Sequence, residues 1–370
     1  MSKVLGLLNF EPNYVRVRGL EDYRPISATS IFGRYRVTDF MLSNFTNSGI
    51  DSIKVFFKNR PRSIVEHISH TSYNINSKKG KIHMLFGERN FNNEYYNNDI
   101  QAFKTYMEFV DVESPSYVVI APSHFIFKQD FSELLEYHIS SGNDITMLYQ
   151  SSSTTDEEYL MCDILLIDED KRVTSFRKNR GKYKNGNVLL ETYVMDINTF
   201  RRLVDEASKI SSLYSLSDIV SDYSKTMKVG AYQHHGYCAC LSTLEAYYDA
   251  NMKIRKEKEL TKLINDDWPI YTMTNDSCPT LYTPSAKVTG SIIANGCEIE
   301  GTVINSVIAR NVVIKKGAVV KDSIVLPDTL IDKNVHLDCA VVDRLAIVTH
   351  VKELVGSKDN PVYVDRGDRI

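Results

Sequence analysis

No glycine lies between Gly6 and Gly19, yet a strand-like apolar run, Val4 to Leu8, ends inside that gap at "NFEPNY". A loop that wraps a phosphate after a first strand needs backbone N–H groups unobstructed by side chains. This loop has no such build. An excess of one charge is also missing: 44 Lys and Arg against 47 Asp and Glu leave a net charge of -3. That balance offers no global attraction for nucleic acid or a membrane surface. No apolar run approaches the roughly 20 residues that span a bilayer. The start "MSKVLGLLNFEPN" lacks the long apolar core and cleavage site of a signal peptide, so a cytoplasmic location is expected. The six cysteines do not reach metal-ligand spacing. Cys238-Ala-Cys240 is a CxC without a second pair, and reduced thiols acting as small hydrophobes are expected.

What is present exceeds one ordinary core: 370 residues, 43% hydrophobic and 25% charged, suggest two soluble domains. Over residues 1–250, apolar β-branched runs such as "DSIKVFF", "SYVVIAP", "DITMLYQ" and "ETYVMDI" alternate with helical spacing. "RVTDFMLSNFTNSG" and "DFSELLEYHISSG" end on Gly49 and Gly142, the usual helix stop. Alternation of this kind predicts an α/β fold with a mostly parallel sheet and helices on both faces. Ligands of such sheets sit at the carboxyl ends of the strands. The loops after Leu8 and after "VVIA" are therefore the first places to look for chemistry. The cluster "NFNNEYYNND" reads as a polar loop, and His234-His235 as a surface strand end.

From residue 286 the texture changes. Aliphatic residues recur about every six positions: Ile293, Ile299, Ile308, Ile314, Val320, Leu326, Ile331 and Leu337. Turn formers such as Gly296, Asn311, Gly317 and Asn334 fall between them. That period predicts a left-handed parallel β-helix over 286–370, with an aliphatic column as its core. Residues 251–285 read as a tether with a packed charged helix, ending in prolines.

Several stretches then narrow the class. "FGRYRVTDFMLSNFTNSGI" resembles FGGKYRIIDFxLSNxxNSGI of the bacterial glucose-1-phosphate adenylyltransferases (ADP-glucose pyrophosphorylases). "YVVIAPSHFIFKQDF", "TLEAYYDANM", "DWPIYT" and "SVIARNVVIKKGAVVKDSIVLPDTLI" resemble further motifs of that family, nearly end to end. The resemblance implies a Rossmann-like nucleotidyltransferase domain followed by the β-helix. It also implies a reaction joining ATP and glucose 1-phosphate into ADP-glucose and diphosphate, with Mg²⁺.

The departures from the family pattern fall on its active site. Where the family has AGGxGTRL, this chain has "FEPNYVRV". Glu11 turns a negative charge toward triphosphate, Pro12 removes a backbone donor, and only Arg16 keeps the family's arginine. Ile26 or Ser27 stands where the RAKPAVPF lysine would be. Ser123 replaces the metal-binding aspartate of AGDH, and Cys240 the second one, of WxDVGT. Hard carboxylate ligands for Mg²⁺ are thus missing at both places. Arg177 replaces the glutamate of FVEKP, with Lys178 as a vestige of the sugar-phosphate site. "YNNDIQ" replaces GTADAV.

This pattern resembles the GlgD-type regulatory subunit of the family. The resemblance implies a chain that binds no cofactor for catalysis and assembles with a catalytic GlgC-type sister, which carries the Mg²⁺. The expected assembly is a heterotetramer, or a homodimer when the chain is alone, in glycogen biosynthesis. Arg24, Arg34 and Arg36 lie where the family holds phosphorylated sugar effectors, and Arg366 and Arg369 in the tail are weaker candidates. Neither nucleic acid nor membrane is expected as a partner. The alternative is a slow adenylyltransferase that takes metal on Asp39, Asp51 or another carboxylate. His124 reads as inherited from the family's GDH, since "APSHF" has no nucleophile elbow.

Overall fold

In a computed structural model, which describes residues 3–58, 60–70, 81–86, 98–274 and 276–370, the first strand Val4–Leu8 runs inside a nine-stranded sheet. Strands Lys81–Phe86, Ser52–Phe57, Val4–Leu8 and Tyr117–Ala121 lie side by side and parallel. Val229–Gln233 adds a further parallel pairing, to Ile145–Ser152. The mostly parallel sheet is therefore present, with one long antiparallel strand, Gly186–Asp196, crossing its middle. The register of that strand slips between Leu189 and Thr192, where Glu191 takes a left-handed φ of 43°. Such a bulge re-aims a side chain.

Strand alternation separates two cores. Val118 and Ile120 pack with Phe103 and Phe200 on one face, while Val119 and Ala121 pack with Phe40, Phe45 and Leu134 on the other. Helices Asp99–Thr105 and Ile197–Ile210 cover the first face; Val37–Asn47 and Phe131–Ser141 cover the second. Gly142 ends the last of these at φ 58°. Most of the "NFNNEYYNND" cluster lies outside the described residues, as does the start of "YNNDIQ". His234 departs from its expected place: it is buried, with Nδ1 3.0 Å from Gln129 Oε1, and only His235 is exposed. Its ring packs against Phe127, which the apolar pattern of a strand end does not reveal.

The carboxyl-terminal domain is a left-handed β-helix of three five-stranded parallel sheets. Ile299, Ile308, Ile314, Val320, Ile331 and Leu337 form its buried column. Leu326 does not join them. Val325 takes the inward place, and the alternation of strand Ile324–Val325 turns Ile324 and Leu326 outward. Together with Val307 and Val341 these outward residues enter the core of the first domain. The β-helix thus docks side-on. Buried Asp343 clasps the joint, accepting from Arg24 at 2.6 Å and from the Tyr363 hydroxyl at 2.7 Å. Gly19, at φ 76°, lies so close that an added Cβ would stand 2.0 Å from the Tyr363 ring. Helix Leu244–Ile254 runs across position 250, helix Glu257–Leu263 packs in the tether, and the first coil strand is Leu281–Tyr282. No helix among the described residues is long and apolar enough to cross a membrane.

Candidate functional site

Four backbone donors of the loop after the first strand are already committed. Asn9 N–H donates to the Ala121 carbonyl at 2.8 Å, and Phe10 N–H to Asn9 Oδ1 at 3.0 Å. Val15 N–H donates to Pro12 and Arg16 N–H to Ser242. Pro12 has no donor to give. These amides are turned into the protein, so they form no cradle for an anion. Arg16 points outward, loosely paired with Glu21 at 3.8 Å. Ile26 sits in a buried 3₁₀ turn, Ile26–Ala28, as part of the hydrophobic core.

Tyr14 then swings beneath the sheet ends. Its hydroxyl donates to Glu191 Oε1 at 2.7 Å and lies 3.1 Å from His124 Nε2 and 3.6 Å from Cys162 Sγ. Cys240 Sγ continues the chain, 3.7 Å from Cys162 Sγ. Ser123 lies alongside, its Oγ 3.5 Å from Glu11 Oε2. Lys178 Nζ pairs with Asp163 at 2.9 Å and stands 5.8 Å from the Tyr14 ring centre. The sequence-chosen positions Glu11, Ser123, Cys240 and Lys178 thus converge around Tyr14, a residue that sequence reasoning did not single out. Glu191 was missed as well, as was Asp99, which accepts from Asn9 Nδ2 of the same loop at 3.2 Å. The available signal was a carboxylate opening the apolar run "ETYVMDI".

Burial sets the protonation of this cluster. It raises Glu191 to about 7, against the Tyr14 hydrogen bond, and Asp99 to about 6, against the Leu216 and Ile100 amides. It raises Glu11 too, against that residue's own backbone and Lys58. It lowers His124 to about 3, so the ring is neutral, and its Nδ1 is buried without a partner. It pushes the Cys240 thiol well up, keeping it protonated. Mg²⁺ demands hard oxygen ligands in near-octahedral array. A protonated thiol, a serine hydroxyl and desolvated carboxyls do not fit it. Among the described residues no group of three or more His, Cys, Asp or Glu is placed to hold a metal ion. Asp39 is also committed: it accepts from Arg36 N–H at 2.8 Å and contacts His67 Nε2 at 2.7 Å, which removes it as a replacement ligand.

A second constellation lies between the domains. Arg24, Arg34 and Arg36 line a cleft of about 430 Å³, joined by Arg310 and Arg344 from the β-helix and Arg366 from the tail. Arg369 instead bridges to Ile347. Arg24 is held by Asp343, and Arg344 pairs with Asp328 at 2.8 Å. Arg36 donates to the Ala28 carbonyl at 2.6 Å. Burial, then the nearby Arg344 and Arg24 charges, push Arg36 down to about 10 against the pull of Asp39. Burial and Arg34 lower Arg310 as well, and its buried Nε has no partner. Crowded guanidiniums of this kind are stabilised by an anion between them.

A sheet of this order capped by a hexapeptide β-helix defines a sugar-nucleotide type nucleotidyltransferase scaffold. The "Nucleotidyl transferase" family model matches residues 16–257, beginning after the Phe10–Val15 loop, and the "GlmU-like, C-terminal hexapeptide" model matches 282–360. The chain is 31% identical over 294 residues to a glucose-1-phosphate adenylyltransferase of Clostridioides difficile (strain 630), covering 77% of this chain and 75% of that one. It is 30% identical over 318 residues to the enzyme of that name in Thermosipho africanus (strain TCF52B), covering 84% and 76%. A third, in Fervidobacterium nodosum (strain ATCC 35602 / DSM 5306 / Rt17-B1), is 30% identical over 356 residues, covering 94% and 84%. The chain belongs to the glucose-1-phosphate adenylyltransferase family.

Proposed function

We infer that the chain is a regulatory, GlgD-type subunit that carries out little or no adenylyl transfer itself. It assembles with a catalytic sister, as a heterotetramer, and modulates the sister's formation of ADP-glucose in glycogen biosynthesis. One observation supports this reading: the loop that would cradle phosphate commits four of its amides internally and places Tyr14 between Glu191 and His124. Ser123 and Cys240 at the strand ends support it, because neither supplies the carboxylate that holds Mg²⁺. Lys178 beside Tyr14 is what favours the alternative, a slow transferase with a surviving sugar-phosphate contact.

The arginine cleft is the regulatory input in this reading. A phosphorylated sugar bound among Arg34, Arg36, Arg310 and Arg344 would pull the β-helix and first domain into one geometry. Differential affinity for that geometry would shift the partner's equilibrium through shared interfaces. The test is ADP-glucose formation by the catalytic sister, with and without this chain, across a titration of fructose 1,6-bisphosphate. A changed rate or effector midpoint in the mixture, lost with Arg36→Ala and Arg344→Ala, is expected. A mixture that behaves as the sister alone contradicts the reading.

A further inference from the structure

From Lys171 to Leu190 the chain has seven basic residues and no acidic one. Five of them lie between Arg177 and Lys184, where strand Val173–Lys178 turns toward Gly186–Asp196. Lys178 is neutralised by Asp163. Arg180, Lys182 and Lys184 are exposed and have no ion-pair partner among the described residues. The Arg177 guanidinium lies 3.9 Å from the centre of the Tyr183 ring, and Lys182 Nζ 5.6 Å from it. Tyr183 itself is 46% exposed.

This loop is braced. The buried Asn179 amide donates to the carbonyls of Thr155, Glu158 and Tyr159 at 2.8, 3.1 and 2.9 Å. Thr155 Oγ1 donates to the Tyr183 carbonyl at 2.6 Å, and Thr155 N–H to that of Lys184 at 3.0 Å. Gly181 takes φ 68°, and an added Cβ would come 3.0 Å from the Asp156 carbonyl oxygen. A fixed loop that gathers like charges opposes folding through self-repulsion. An anionic partner relieves that repulsion on contact, and it meets side chains already positioned.

We propose that the Arg177–Lys184 loop docks a compact carboxylate-rich face of a protein partner. A guanidinium stacked on a ring keeps its N–H edge free for bidentate contact with carboxylate. One of the two ring faces on which single-stranded nucleic acid could stack is covered by Arg177. Acidic residues also bound the footprint. Asp156 lies beside the loop at Gly181, with exposed Glu157 next in sequence, and exposed Asp168, Glu169 and Asp170 begin the far turn of the same hairpin ahead of Lys171 and Arg172. A long polyanion would run onto those carboxylates. A small acidic face would not.

The experiment measures fluorescence anisotropy of a labelled short oligoglutamate of about four residues, small enough to stay within the footprint, with the full chain at about 0.15 M salt, where the Debye length is about 8 Å. Oligothymidylate and linear polyphosphate of matched charge are run beside it. The variant carries Arg180→Glu, Lys182→Glu and Lys184→Glu; a second carries Gln at the same places, and melting curves check that both fold. The expected result is saturable oligoglutamate binding, weakened about tenfold or more in both variants, with the phosphate polymers binding no more tightly. Absent binding, a smaller loss in the folded variants, or tighter binding of either phosphate polymer overturns the proposal.

Discussion

The Tyr14 hydroxyl donates to Glu191 Oε1 at 2.7 Å, joining the loop after the first strand to a bulge 177 positions later. The bond closes the candidate site from within. Tyr14→Phe keeps the ring and removes the donor, so Glu191 loses a partner in a desolvated place. A loss of about 1–2 kcal/mol is expected, read as a lower urea midpoint with unchanged slope. Tyr14→Ala removes the ring as well and should cost about 3–5 kcal/mol.

Glu191 links stability to pH. Its folded value is about 7, against 4.5 as the ordinary value. Between these two pH values the unfolded chain has lost this proton and the folded chain keeps it. Stability therefore falls as pH rises through that window, and the difference approaches roughly 3 kcal/mol above it. Glu191→Gln removes this contribution. Urea midpoints at pH 5 and pH 8 should converge in the variant relative to the parent. His124, held down at about 3, acts in the opposite direction and destabilises as pH falls below about 6.5.

Arg24 and Asp343 form the buried clasp between the domains. Arg24→Met takes the cation away from buried Asp343, leaving it the Tyr363 hydroxyl and the Arg344 N–H as donors. Breaking a buried pair from one side costs about 3–5 kcal/mol. The expected readout is a lower melting temperature, partly regained when Asp343→Asn is added. Equal melting of parent and Arg24→Met would show that the joint does not depend on the pair.

Restoring the two strand-end carboxylates should not restore turnover. Ser123→Asp with Cys240→Asp supplies hard ligands, but the amides of Asn9, Phe10, Val15 and Arg16 stay committed. Initial rates of ADP-glucose formation should rise less than about tenfold, because positioning of the phosphates is a larger contribution than one metal site alone. A rise of several orders of magnitude would show that the loop does hold triphosphate.

Most of the architecture was legible in the chain because it rests on periodicity. Strand runs, Gly49 and Gly142 as helix stops, and the six-residue column all report burial directly. The one slip in the column, Leu326 for Val325, occurs where the outward face of the β-helix is also buried. Apolar residues then occupy both sides, and the period no longer distinguishes them. The site was legible only in part. Ser123 and Cys240 could be placed by motif, but Tyr14 meets Glu191 through a bulge, and a register slip leaves no trace in composition. Arg310 and Arg344 join the cleft from β-helix turns, where a charged residue looks like ordinary solvated surface.

The most direct measurement is turnover by the isolated chain: ADP-glucose formed from ATP and glucose 1-phosphate with Mg²⁺, by the purified protein free of any sister subunit. A rate at or near background, with the chain folded and active in modulating the sister, is expected from a site filled by Tyr14. Robust turnover by the chain alone would contradict a regulatory role and would mean that the "NFEPNY" loop opens to admit triphosphate.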